Sequence, residues 1–191
     1  MAEGKASSSW ERLGSERLME TPYFALRSDR LRLPGGAVKD PYYVIERPDA
    51  AIIFPLTESG EEVVLVRQYR PPLGRMELGL PAGLVDEGEE PEAAARRELL
   101  EETGHSGGEW EALGVLASSP SLKDNHAHLF LARGVRETTA PDPDEHELVE
   151  VVRVPSGKLL ELIQAGEIVS SSGVAAIMLA LHRLGALSGP A

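Results

Sequence analysis

A glycine-bearing loop, Gly83–Leu84–Val85–Asp86–Glu87–Gly88–Glu89, leads within a few residues to Arg97–Glu98–Leu99–Leu100–Glu101–Glu102–Thr103–Gly104, and this junction constrains the chain more than any other feature. Pro91 suits a first helical turn, Ala93, Ala94 and Ala95 are strong helix formers, and Gly104 stands where a left-handed terminating residue is wanted. The spacing therefore predicts a helix over 91–103. At about 100° per residue, Leu99, Leu100 and Thr103 point to one side while Glu98, Glu101 and Glu102 cluster on the other, so that one face packs and the other binds. Like charges at helical spacing repel by roughly 0.2–0.5 kcal/mol per exposed pair, a local loss that a bound cation would reverse. Magnesium suits three carboxylates best: it takes hard oxygen ligands, keeps several waters and is shared with a substrate's phosphates, and manganese fits the same oxygens. The competing reading is a solvated acidic face laced with Glu–Arg pairs.

The rest of the composition narrows the partner. At 191 residues, 42% hydrophobic and 26% charged, the chain can bury a full core and reads as one main domain with a small extra element. A formal net charge of −12 argues against a nucleic-acid backbone, which rewards clustered Lys and Arg. A polyanionic small molecule can still bind where divalent ions neutralise its phosphates. There is no cysteine, which excludes disulfides and thiolate metal sites. No apolar run of about 18 residues and no apolar signal core is present, so the expectation is a cytoplasmic protein without a membrane partner.

Strand signals dominate the first half. Residues 23–33 read as a strand, Pro34–Gly35–Gly36 as a turn, and Tyr42–Glu46 as the returning strand of a hairpin. Residues 50–56, 62–70, 75–80, 110–116 and 126–132 are further strand candidates, and 151–154 another. Two late helices are expected, a capped one over 156–165 and an apolar core helix over 174–184. The division expected is a flexible tail over 1–14, an N-terminal strand element over 15–48 and the main domain over 49–187. Strands mixed with three helices predict an α+β protein with α/β/α layering and no internal repeat. His126 and His128 share a strand face and read as half-buried strand residues, not zinc ligands.

As a pattern, Gly83 to Gly104 is Gly, five residues, Glu, seven residues, Arg-Glu-Leu, one residue, Glu-Glu, one residue, Gly. It resembles the signature box of the Nudix hydrolases, with every fixed position matched; the box ordinarily closes on an apolar residue, where this chain has His105. Gln68–Tyr69–Arg70, Pro81–Ala82 and Pro120 resemble the ADP-ribose pyrophosphatase branch, and the likeness covers most of the chain after about Ser15. The resemblance implies a Nudix-type α/β/α sandwich with a mixed sheet, an N-terminal antiparallel strand element exchanged in a homodimer, and Mg²⁺-dependent cleavage of a nucleoside diphosphate derivative, foremost ADP-ribose to AMP and ribose 5-phosphate.

Carried over residue by residue, Glu98 and Glu102 match the main metal ligands, Glu101 the third, and the carbonyl of Ala82 completes the shell; Glu101 also stands among the catalytic candidates. Glu89 and Arg97 match a pair that braces the loop, and Gly83 and Gly104 frame the box. The acidic loop Asp142–Glu150 matches the one that supplies a general base, with Glu145 preferred as base and Glu147 as ligand or alternative base, against a merely solvated loop. Arg70 could fork onto a diphosphate or terminal ribose, and Tyr23 could stack on the base. The branch usually has an acidic residue where this chain has Gly79; Glu77 lies on the same strand face and is the substitute. Ser121–Asn125 also lacks the glycine and glutamate common after Pro120. A GDP- or UDP-sugar substrate therefore stays open. So do a non-catalytic ADP-ribose sensor and a metal-free scaffold.

Overall fold

A computed structural model describes residues 9–142 and 148–187. It divides into two compact units: the residues up to Pro48 with Ser119–Asn125, and Asp49–Ser118 with His126 onward.

The first unit is a three-stranded antiparallel sheet of β1 (Glu11–Glu20), β2 (Ala25–Arg32) and β3 (Val38–Glu46), in that order. The β2–β3 hairpin turns at Gly36, whose φ of 86° favours glycine and whose N–H donates to the Leu33 carbonyl at 2.9 Å. β1 starts inside the segment expected to be a flexible tail. All but one of its residues are exposed, so it carries no alternating pattern to read. Polar pairing ties it down instead: the Ser15 hydroxyl donates to the buried Asp29 at 2.6 Å, and Arg27 Nε donates to the same carboxylate at 3.0 Å.

The second unit is built on a mixed sheet. Its strands β4 (Ala50–Thr57), β5 (Glu62–Arg70), β8 (His105–Ser106), β10 (His126–Glu137) and β11 (Val149–Pro155) run in the order β11-β5-β4-β10-β8. Short strands β6 (Arg75–Gly79), β7 (Ala82–Leu84) and the longer β9 (Glu109–Ala117) pair with β5, β4 and β10. β4 and β10 are parallel; the other pairs are antiparallel. Alternation along β4 sends Ala51 and Ile53 to one core with Ala94, Ala95 and Leu99 of α1 (Pro91–Thr103), and Ile52, Phe54 and Leu56 to another with Leu159 of α2 (Leu159–Gln164) and Ile177 and Ala180 of α3 (Ser171–Arg183). A sheet covered on both faces needs continuously apolar central strands, which residues 50–56 and 63–66 supply. The result is the expected α+β, Nudix-like α/β/α sandwich. Among the described residues no helix is long and apolar enough to cross a membrane.

Three local expectations are corrected. The α1 bounds agree with the sequence, but its faces do not separate. Glu102 is buried with Ala94, Ala95, Leu99 and Thr103, while Leu100 is exposed. The buried arc and the carboxylate arc overlap because Glu102 lies only about 60° from Leu99 around the helix. The segment 156–165 starts as a 3₁₀ turn, Ser156–Lys158, before six residues of α2, with no side-chain cap. The capped helix is α3, where Ser170 Oγ accepts from the Gly173 N–H at 3.3 Å and the helix starts three residues earlier than expected.

Candidate active site

The loop–helix junction is held by one arginine and one glycine. Arg97 donates through Nε and Nη2 to both oxygens of Glu89, at 3.2 and 3.0 Å, and through Nη2 to the Leu84 carbonyl at 3.1 Å. Its Nη1 donates to Glu98 Oε1 at 2.8 Å and Glu101 Oε2 at 3.1 Å. The forked bond with Glu89 is the largest cause raising the Arg97 pKa, and Arg97 with the Asp86 N–H lowers that of Glu89. Gly83 is there for space: a Cβ would fall on the Glu98 carboxyl group, so this carboxylate lies directly beneath the backbone of β7. Buried Glu102 accepts from the Ala82 N–H at 3.0 Å. At the helix end Gly104 (φ 69°) donates to the Leu100 carbonyl at 2.8 Å, and a Cβ there would strike the Thr139 carbonyl.

Beside Ala82 is a cavity of about 50 Å³, with Gln68, Arg70, Glu77 and Gly79 on strand walls and Ser170 and Gly173 from the start of α3. Arg70 Nε donates to Glu77 Oε2 at 3.3 Å. Glu98, Glu102, Ala82, Arg70 and Glu77 thus all belong to the second unit. Tyr23 belongs to the first unit, 69% exposed in the turn between β1 and β2. Glu145 and Glu147 lie outside the described residues.

The match to known proteins is made against this geometry. Residues 46–170 match the NUDIX domain, and residues 10–45 match the nucleoside diphosphate sugar hydrolase N-terminal domain. The chain belongs to the Nudix family. It is 36% identical over 180 residues to an ADP-ribose pyrophosphatase of Mycobacterium tuberculosis, covering 93% of this chain and 85% of that protein. It is 31% identical over 186 residues to a GDP-mannose pyrophosphatase of Klebsiella pneumoniae, covering 91% and 92%. Among solved structures it resembles an ADP compounds hydrolase, with a TM-score of 0.81 and 26% identity, covering 93% of this chain and 97% of that one. This Nudix protein is accordingly an enzyme of the ADP-ribose pyrophosphatase-like branch.

Nudix hydrolases need a divalent metal, and the residues here suit one. The donor set around Glu98 and Glu102 is all oxygen, and the cradle beneath Gly83 is kept open by the missing Cβ. Among the described residues no three acidic or histidine side chains are gathered closely enough to hold an ion as they stand. Arg97 Nη1 lies between Glu98 and Glu101, at 2.8 and 3.1 Å, and shares their negative charge.

Sequence reasoning missed three things in this unit. Ser170 and Gly173 come to the cavity from far along the chain, and only the capping signature of Ser170 hinted at a helix start there. His105, in place of the apolar residue that usually closes the box, is buried with both ring nitrogens partnered: Nδ1 with the Thr103 carbonyl at 2.8 Å and Nε2 with Arg153 Nη2 at 3.3 Å. Asp49 accepts from the His126 N–H at 2.7 Å and pairs with His128 Nε2 at 2.8 Å. Burial alone would raise the Asp49 pKa, but these donors hold it below the ordinary carboxylate range.

Proposed function

We propose that this protein hydrolyses the pyrophosphate bond of a nucleoside diphosphate sugar, ADP-ribose foremost, to give AMP and ribose 5-phosphate with Mg²⁺ as cofactor and Mn²⁺ as substitute. The observation that carries this reading is the placement of Glu98 beneath the Gly83 backbone with Glu102 bonded to Ala82 next to it. The name of the M. tuberculosis relative supports ADP-ribose as substrate. Glu98, Glu101, Glu102 and the Ala82 carbonyl would hold the ions, which when bound neutralise the diphosphate and acidify a water. Arg97, fixed by Glu89, keeps Glu98 and Glu101 turned towards the loop. Arg70, paired with Glu77 at 3.3 Å and 46% exposed at its side chain, would offer its remaining guanidinium N–H groups to a phosphate or sugar. Glu145, with Glu147 as alternative, takes the proton from the attacking water, and Tyr23 stacks on the base.

The working form proposed is a cytoplasmic homodimer whose N-terminal strand element, residues 15–48, is exchanged between subunits. Leu18, Met19, Tyr23, Val38 and Tyr43 leave large apolar side chains exposed on that element, which a partner subunit would cover. A second substrate, a GDP- or UDP-sugar, is favoured by one observation: Gly79 puts open space where the branch usually has an acidic side chain, and the K. pneumoniae relative is named for GDP-mannose.

The deciding experiment is a panel of nucleoside diphosphate derivatives with Mg²⁺ or Mn²⁺, products identified by mass, on wild type, Glu98→Gln and Glu102→Gln. Release of AMP from ADP-ribose by wild type, with most turnover lost in both folded variants, is expected. Near-normal hydrolysis in both variants would rule the carboxylate cradle out.

A further inference from the structure

The last carbonyls of a helix have no partner inside it, and those of α1 find theirs elsewhere in the unit. The Leu100 carbonyl accepts from the Gly104 N–H at 2.8 Å and the Glu101 carbonyl from the Asp142 N–H at 2.9 Å. The Thr103 carbonyl is met by a side chain, His105 Nδ1, at 2.8 Å. On its other edge the same imidazole presents Nε2 to Arg153 Nη2 at 3.3 Å. These two neighbours fix the ring's proton. A carbonyl only accepts, so Nδ1 carries the hydrogen; a guanidinium only donates, so Nε2 offers its lone pair. Arg153 belongs to β11 and also donates from Nη2 to Glu137 of β10 at 2.9 Å. Its side chain is 46% exposed, whereas His105 is buried at 2%. Arg153, His105 and Thr103 therefore form a relay whose hydrogen bonds all point the same way, from a cation into the carboxyl end of α1.

We infer that His105 and Arg153 are positioning residues for the carboxylates of α1, in which the relay fixes the final turn that carries Glu101 and Glu102 and brings positive charge to the end where those carboxylates crowd. The inference rests on the pyrophosphatase reading above and adds to it the groups that hold the ion-binding turn from behind. Charge is the first reason. A helix ends in about half a negative charge, which disfavours carboxylates there and which a cation offsets. Direction is the second, since aligned hydrogen bonds in a dry surrounding polarise and strengthen one another. An apolar side chain would fill the same buried space as His105 but would leave the Thr103 carbonyl without this donor and Arg153 without this acceptor. The third reason is connection. The Thr138 N–H donates to the Gly104 carbonyl at 2.9 Å, so the end of α1 is tied to the chain leaving β10 as well as to β11.

Wild type, His105→Leu, Arg153→Met and the double variant provide the test. Nitrogen-resolved NMR of metal-free wild type near neutral pH should show His105 protonated at Nδ1 alone. Binding of Mn²⁺, followed by electron paramagnetic resonance without substrate, and the Mg²⁺ concentration for half-maximal hydrolysis of ADP-ribose are measured on all four proteins. Loss of a group that orients metal ligands typically costs about 10- to 100-fold in metal affinity or activity. Each single variant should weaken Mn²⁺ binding and raise the Mg²⁺ requirement by about 10-fold, with KM for ADP-ribose unchanged at saturating Mg²⁺. The double variant should be no worse than either single one, because both changes break one relay. A proton on Nε2, a lowered Tm with unchanged metal binding, or effects that multiply in the double variant would overturn the inference. Arg153→Met keeps the question answerable if His105→Leu unfolds, since Arg153 is half exposed. If wild type hydrolyses no ADP-ribose, the pyrophosphatase reading fails on its own, while the tautomer and Mn²⁺ binding still decide the relay.

Discussion

Gly83→Ala separates the architecture of the site from the stability of the fold. The atoms nearest to a Cβ at Gly83 are Cδ, Oε1 and Oε2 of Glu98, the far end of a flexible side chain, with no backbone among them. Gly83 is in an extended strand, so alanine brings no conformational strain of its own. The added methyl is therefore accommodated by swinging Glu98 away, which breaks its 2.8 Å bond to Arg97. That pair is partly solvated, Arg97 being 31% and Glu98 15% exposed at the side chain, so its loss costs about 1 kcal/mol or less. For a chain of this length that lowers Tm by roughly 2–4 °C. Misplacing a group at the reacting centre by an ångström or more costs on the order of 10²-fold in turnover. Thermal melts and kcat on ADP-ribose with Mg²⁺ are the paired assays. A nearly wild-type melt with turnover down about 10²-fold is expected. A steep drop in Tm, or normal turnover with a normal melt, would refute the argument that Glu98 is what Gly83 makes room for.

Arg97→Met removes the partner of Glu89, Glu98 and Glu101 together and should destabilise by about 1–3 kcal/mol, read as an earlier urea midpoint with unchanged slope; no shift would show that the carboxylates need no arginine. Ser170→Ala removes the cap of α3 and should cost about 0.5–2 kcal/mol by thermal melt. Asp49 has a lowered pKa in the folded state, so the unfolded chain binds more protons at acid pH. Its contribution is complete above the ordinary carboxylate range and disappears as pH falls through the lower folded value. Asp49→Asn should therefore flatten the fall in stability on acidification below about pH 4; an unchanged slope would mean that the His126 and His128 contacts do not hold the carboxylate.

Much of this protein was legible in its residues. The bounds of α1 follow from Pro91, three alanines and Gly104, because caps and propensity act within a few residues. The central strands follow from continuous apolar runs, because a sheet covered on both faces accepts little else. The box from Gly83 to Gly104 named the family. What the chain alone did not disclose depends on distance in space. β1 was hidden because its contacts are polar and belong to β2, so its own pattern is solvent-like. Glu102 read as an exposed ligand, yet it packs inward, since the arcs of burial and charge overlap on one helix. Arg97 read as a brace for Glu89 alone, and tertiary geometry shows it holding Glu98 and Glu101 as well. The cavity at Glu77 joins residues 68–82 to Ser170 and Gly173, a meeting that no local periodicity encodes because it arises only when α3 packs on the sheet. Local rules decided the elements and the family; three-dimensional packing decided which carboxylates are buried and which are paired.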